Sequence, residues 1–177
     1  MRGATVWFTG LPSSGKSTLA SAVEERLAAD GVPAYMLDGD NLRHGLNADL
    51  GFGNDARAEN VRRTSHVARL FADAGVVALV SLVSPYAADR DQARRLHEGS
   101  DLPFVEVFMN APVTVCEQRD PKGLYARARR GEIAGFTGVD DPYEPPLRPE
   151  VEIFPAPLGD SVDAILGVLA ERGVLSG

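Results

Sequence analysis

Gly10-Leu11-Pro12-Ser13-Ser14-Gly15-Lys16-Ser17 follows an apolar run, Ala4 to Thr9, and leads into a stretch whose Leu19, Ala20, Val23 and Leu27 share one helical face. The spacing is G-x-x-x-x-G-K-S/T, set between a strand and a helix, and that context gives the pattern its mechanism. Such a turn aims backbone N–H groups at phosphate oxygens where the helix dipole is positive. Its lysine reaches the β- and γ-phosphates, and the hydroxyl beside it ligates Mg²⁺. Gly10, Leu11, Pro12, Ser13, Ser14, Gly15, Lys16, Ser17 and Thr18 are therefore the expected contacts of ATP.

Working outward, Gly31 ends the first helix, and Ala34 to Leu37 reads as a second strand running into Asp38-Gly39-Asp40. A helix from about Arg57 puts Val67, Leu70, Phe71 and Ala74 on one face and closes at Gly75. Val76 to Val80 and Phe104 to Phe108 read as central parallel strands, Val113 to Arg119 as a helix, and Val151 to Phe154 as a short fifth strand. Val162, Ile165, Leu166 and Leu169 mark a closing amphipathic helix. The alternation predicts an α/β fold of the P-loop type: a parallel sheet of about five strands, helices on both faces, ligands at the carboxyl ends of the strands. All of residues 1–177 are expected to form one domain.

Composition narrows the function. Eighteen basic against twenty-five acidic side chains leave a formal charge of −7, which excludes a broad electrostatic grip on nucleic acid or anionic lipid. No run suits a membrane span, the opening Met1 to Ala4 lacks the apolar core of a secretory signal, and the lone Cys116 suits a reducing compartment; a cytoplasmic protein is expected. Cys116 reads as a small buried hydrophobe. His44, His66 and His97 follow no metal-ligand spacing.

Only Lys16 and Lys122 are lysines. Lys122 lies in a locally basic stretch where Arg119, Lys122, Arg127, Arg129 and Arg130 outnumber Asp120 and Glu132. With Gly123 and Gly131 as pivots, the stretch has the character of a mobile lid that closes over phosphates and excludes water. The run 76–80 ends in Ser81, not a carboxylate, so Asp38 and Asp40 are the acidic pair expected at the crevice. Two residues apart on extended chain, they would share one face. One helps to hold the metal with Ser17, and the other accepts a proton from an attacking hydroxyl. A plain turn that caps the next helix is the competing reading.

Beyond the loop, the chain is similar to the adenylyl-sulfate kinase family over roughly residues 4 to 155. The resemblance rests on 37–47 (LDGDNLRHGLN), 49–52 (DLGF), Arg57, Glu59-Asn60 and Arg62-Arg63, then on Ser84-Pro85-Tyr86, 119–125 (RDPKGLY), 136–138 (FTG) and 141–143 (DPY). It implies phosphorylation of the 3′-hydroxyl of adenosine 5′-phosphosulfate, with ATP as co-substrate and Mg²⁺ as cofactor, in a protein that pairs as a homodimer. It also implies that Asp40, Arg43, Arg57 and Asn60 line the acceptor site and that Phe52 and Phe136 sandwich its adenine. Asp38, Val83, Ser84 and Lys122 complete that set, and Arg119 joins the ATP contacts. Arginine forks suit a small dianion, and aromatic faces suit a purine.

Asp40 is the expected base, with Lys16, Lys122 and the lid arginines stabilising transferred charge. Ser84 matches a serine described in the family as a phosphoserine intermediate; direct in-line transfer needs no such step, and a contact or turn role before Pro85 is expected. The loop departs from the family's usual glycine between two serines, and Pro12 removes one N–H, so an altered loop stiffness is expected. Two other readings stay open: a kinase of another nucleoside or small-metabolite hydroxyl, and a non-catalytic ATP-binding regulatory domain. ADP formation with a different acceptor would favour the first, and binding without turnover the second.

Overall fold

The computed structural model describes residues 2–175. Its strands are β1 (Ala4–Thr9), β2 (Ala34–Asp38), β3 (Val77–Ser81), β4 (Phe104–Met109) and β5 (Val151–Ile153). They form one parallel sheet in the order β2-β3-β1-β4-β5, so the strand that feeds the phosphate loop is central. Every residue of β1, β3 and β4 is buried, and side chains of successive residues serve opposite faces. Val6 and Phe8 pack with Leu19, Val23 and Leu27 of α1 (Lys16–Ala29) and with Ile165 and Leu169 of α7 (Leu158–Glu171). Trp7 faces the other way, towards Val61 and Ala68 of α3 (Asn54–Asp73) and Ala93 of α4 (Ala87–Glu98).

Between these elements lie α2 (Gly39–Leu42), α5 (Val113–Arg119) and α6 (Leu124–Arg129). Two expectations need correction. The third helix begins at Asn54, three residues before Arg57, because Gly53 is extended at the cap and Asp55 suits the positive end of the first turn. Asp38 and Asp40 do not sit on a continuous extended chain, since the backbone turns helical at Gly39. A Cβ at Gly39 would stand 2.9 Å from Leu82 Cδ2, and this close approach fixes glycine between the two carboxylates.

The register sets the carboxyl ends of the strands level. Asp38 pairs with Ser81, Phe8 with Ser81, and Thr9 with Phe108, so the residues after β1, β2 and β3 emerge on one rim. Beneath that rim, Arg90 is only 2% exposed and is fully engaged. It donates to Glu106 at 2.9 Å, to the Ser84 carbonyl at 2.6 Å and to the Glu144 carbonyl at 2.6 Å. Arg94 joins Glu106 to Glu150, and Glu150 in turn accepts from the Glu106 backbone N–H. A buried guanidinium is tolerable only with this level of partnering. Its effect is to tie the 84–86 loop to the 141–144 segment. His97, also buried, lies between Thr5 Oγ1 at 2.8 Å and the Ala93 carbonyl at 2.8 Å, a structural role. Among the described residues no helix is long and apolar enough to cross a membrane.

Candidate active site

The phosphate loop needs unusual backbone. Gly10 has φ 151°, Ser13 61° and Gly15 95°. At Gly10 a Cβ would also stand 2.9 Å from the Met109 side chain, so no other residue fits without displacement. Ser13, in contrast, holds a left-handed conformation with a side chain present. Ser13→Gly is expected to stabilise the fold by about 0.5–1 kcal/mol, the left-handed penalty less glycine's greater unfolded entropy, as a rise in Tm with ATP affinity retained. Pro12 adds a tether: its carbonyl accepts from the Tyr125 hydroxyl at 2.8 Å, joining the loop to α6.

Lys16 folds back over the loop, donating to the carbonyls of Gly10 at 3.0 Å and Leu11 at 2.8 Å. Burial holds its ammonium down to a pKa of about 8, against the weaker pull of Asp38 and Asp40. The next residue, Ser17, donates to Asp38 Oδ2 at 2.7 Å and lies 2.9 Å from Ser81 Oγ. Asp38 Oδ1 meanwhile accepts from the Asp40 N–H at 2.9 Å. Asp38 thus caps α2 and also reaches the loop hydroxyl. Asp40 points elsewhere and forms an ion pair with Lys122, which reaches in from the turn between α5 and α6.

A cavity of about 860 Å³ opens on this rim. Pro12 to Thr18 line it, with Asp38, Asp40, Arg43, Phe52, Arg57, Asn60, Val83, Ser84, Arg119, Lys122 and Phe136. The sequence-named site residues outside the loop are therefore on one wall or another, except the lid arginines Arg127, Arg129 and Arg130, which pair with Glu132 and Glu117 and do not line the cavity. Gly10 and Leu11 do not line it either; their carbonyls hold Lys16 instead. Arg119 lies over the loop, its Nη1 3.7 Å from where a Gly15 Cβ would stand.

The aromatic pair is less symmetrical than expected. Phe52 is 70% exposed, with the Arg43 guanidinium 4.2 Å above its ring. Arg43 also holds the carbonyls of Leu50 and Gly51, at 3.2 and 3.1 Å. Phe136 is buried in a small cluster with Cys116 and Ala128, edge-on to Tyr125 at 5.0 Å. It serves as core and cavity wall together. Arg57 is largely spoken for, with Asp141, the Gly135 carbonyl and Thr137 Oγ1 as partners.

Ser84 stands at φ 40° in the loop after β3, its hydroxyl accepting from Trp7 Nε1 at 3.0 Å and donating to the Leu82 carbonyl at 3.3 Å. No base touches it. Ser84→Ala is therefore expected to keep kcat within about fivefold while costing about 1–2 kcal/mol of stability for the stranded Trp7 donor, read by steady-state kinetics beside thermal melts.

Sequence reasoning missed Asp141 and the apolar rim Phe154, Pro155, Ala156 and Leu158, which follows β5 and lines the same cavity. The sequence reading places Phe154 at the end of the fifth strand, whereas β5 ends at Ile153 and leaves Phe154 exposed beyond it.

The family described as adenylylsulphate kinase matches residues 2–154, most of the chain. The chain belongs to the adenylylsulphate kinase family. An adenylyl-sulfate kinase of Clostridium acetobutylicum is 52% identical over 98% of this chain and 86% of its own length. The solved APS kinase CysC of Mycobacterium tuberculosis, in complex with AMPPNP and APS, is 52% identical; it superposes with a TM-score of 0.93 over 96% of this chain and 98% of the other. A hexameric APS kinase from Thiobacillus denitrificans is 32% identical, with a TM-score of 0.75 over 99% of this chain and 30% of that larger one. Members of the adenylylsulphate kinase family are ATP-dependent phosphotransferases, and the five-stranded sheet with its phosphate loop is the fold shared with these structures.

Proposed function

We propose that the chain transfers the γ-phosphoryl of ATP to the 3′-hydroxyl of adenosine 5′-phosphosulfate, giving ADP and 3′-phosphoadenylyl sulfate. One observation carries this: a single cavity joins the phosphate loop to the Arg43, Phe52 and Asn60 set, with Asp40 on its wall. The Mycobacterium tuberculosis relative, solved with both nucleotides, supports two-ligand occupancy.

Ser17 Oγ, the Asp38 carboxylate and Ser81 Oγ gather hard oxygens at the loop's end, a donor set that fits Mg²⁺ held mainly by nucleotide phosphates. When bound, the ion neutralises charge on the β- and γ-oxygens. The chain's own residues do the rest. Loop N–H groups and Lys16 hold the triphosphate, and the apolar rim after β5 with Arg119 suits the donor's adenine. Asp40 accepts the proton of the 3′-hydroxyl as that oxygen attacks the γ-phosphorus and the bond to the β-phosphate oxygen breaks. Lys122, released from Asp40, joins Arg119 in stabilising the equatorial charge, and closure of the 119–135 lid excludes water.

Incubating the purified protein with Mg-ATP and adenosine 5′-phosphosulfate is expected to yield ADP and the 3′-phosphorylated product in equal amounts. ADP formation that requires a different acceptor, or binding without turnover, would overturn the proposal.

A further inference from the structure

Asn47 is 0% exposed, in the loop between α2 and α3 that also carries Phe52. Its Nδ2 donates to Asn60 Oδ1 at 2.7 Å, while its own buried Oδ1 has no hydrogen bond among the described residues. Leaving an amide oxygen so stranded is destabilising. Of the Asn47 amide only the donor end is engaged. By engaging Asn60 Oδ1 it leaves Asn60 Nδ2 as the free end of that side chain. Asn60 Nδ2 makes no hydrogen bond within the described residues, and Asn60 is one of the residues lining the cavity.

We propose that Asn47 is a positioning and specificity residue: it fixes the Asn60 amide with its NH₂ turned to the acceptor nucleotide, so that the subsite takes a group that only accepts hydrogen bonds, a purine ring nitrogen or an anionic oxygen. A site that presents a donor rejects a ligand offering another donor, because both N–H groups are then buried unpaired. Asn60 alone, free to rotate, would accept either kind of group.

The inference rests on the acceptor assignment above and is tested with two variants on the full chain. In Asn47→Asp, assayed at a pH high enough to ionise the buried carboxyl, the side chain can take a hydrogen bond from Asn60 but not give one, so Asn60 turns its NH₂ inward and shows its oxygen to the cavity. The loop-to-helix tether survives and the orientation reverses. KM for adenosine 5′-phosphosulfate is expected to rise at least tenfold, with KM for ATP and kcat within about twofold. Asn47→Leu, uncharged and without the stranded oxygen, is expected to melt near the wild-type temperature and to raise the same KM about three- to tenfold. It carries the test if the aspartate variant does not fold. A wild-type KM for adenosine 5′-phosphosulfate in either folded variant, or an equal rise in both KM values, would overturn the inference while leaving the proposed function intact. A wild-type chain that turns over no adenosine 5′-phosphosulfate overturns both.

Discussion

Asp40→Asn is expected to lower kcat by about 10²- to 10⁴-fold, the usual contribution of a positioned general base. The substitution is conservative in shape. The Asp40 backbone N–H still bonds Asp38, so α2 keeps its cap, and the Ser17–Asp38 contact at 2.7 Å is untouched. What disappears is the carboxylate that pairs with Lys122 and, on the proposed mechanism, receives the hydroxyl proton. The affinity for ATP, measured by displacement of a fluorescent analogue, should stay within about threefold, because a base that acts on the acceptor contributes little to uniform donor binding. A folded Asp40→Asn protein that turned over at near-normal rate would remove the base assignment.

Lys16→Met is the second large effect. Methionine fills the same buried space but cannot donate to the carbonyls of Gly10 and Leu11, nor to a phosphate. A loss of about 10²- to 10³-fold in kcat is expected, as for removal of one preorganised donor to developing charge. The pH dependence separates this from simple misfolding. In the free protein, burial lowers the Lys16 pKa to about 8, so above that pH the side chain is increasingly neutral. Bound phosphates favour the charged form and push the pKa up, so binding takes up a proton between the free and bound values. The dissociation constant for ATP should therefore rise with pH above about 8, towards tenfold per pH unit, in the wild type and not in Lys16→Met.

Much of this was legible because it is local. The strand, glycine loop and helix around Lys16 form a contiguous signal, and the buried strands announce themselves as short apolar runs. The helix α4 was not legible. Its buried face is Arg90, Ala93 and His97, two of them polar, so the 87–98 segment shows no apolar stripe even though its spacing is helical. That face is buried at the cost of the hydrogen bonds to Glu106, Ser84 and Glu144, partners remote in sequence.

The acidic pair was visible, but its division of labour was not. Asp38 turns to Ser17 and Asp40 to Lys122 only because Gly39 starts a helical turn between them, a result of its close approach to Leu82. In the same way Arg57 reads as a substrate ligand from its motif, whereas its pairing with Asp141 depends on a contact 84 residues away. Asn47 gave no signal of its own, since an unpaired oxygen can be recognised only once burial is known.

The central place of β1 has a consequence for biosynthesis. The strand that delivers the phosphate loop precedes the other four strands, yet both its neighbours in the sheet, β3 and β4, are made much later. Until Phe108 has emerged to sit beside Thr9, β1 has an open edge. Its pairings are all distant in sequence, which slows folding and leaves a nascent segment exposed to aggregation. The nucleotide site, though its loop precedes most of the sheet in sequence, is among the later structures to be completed, and a chain stalled before β4 would carry the motif without the pocket.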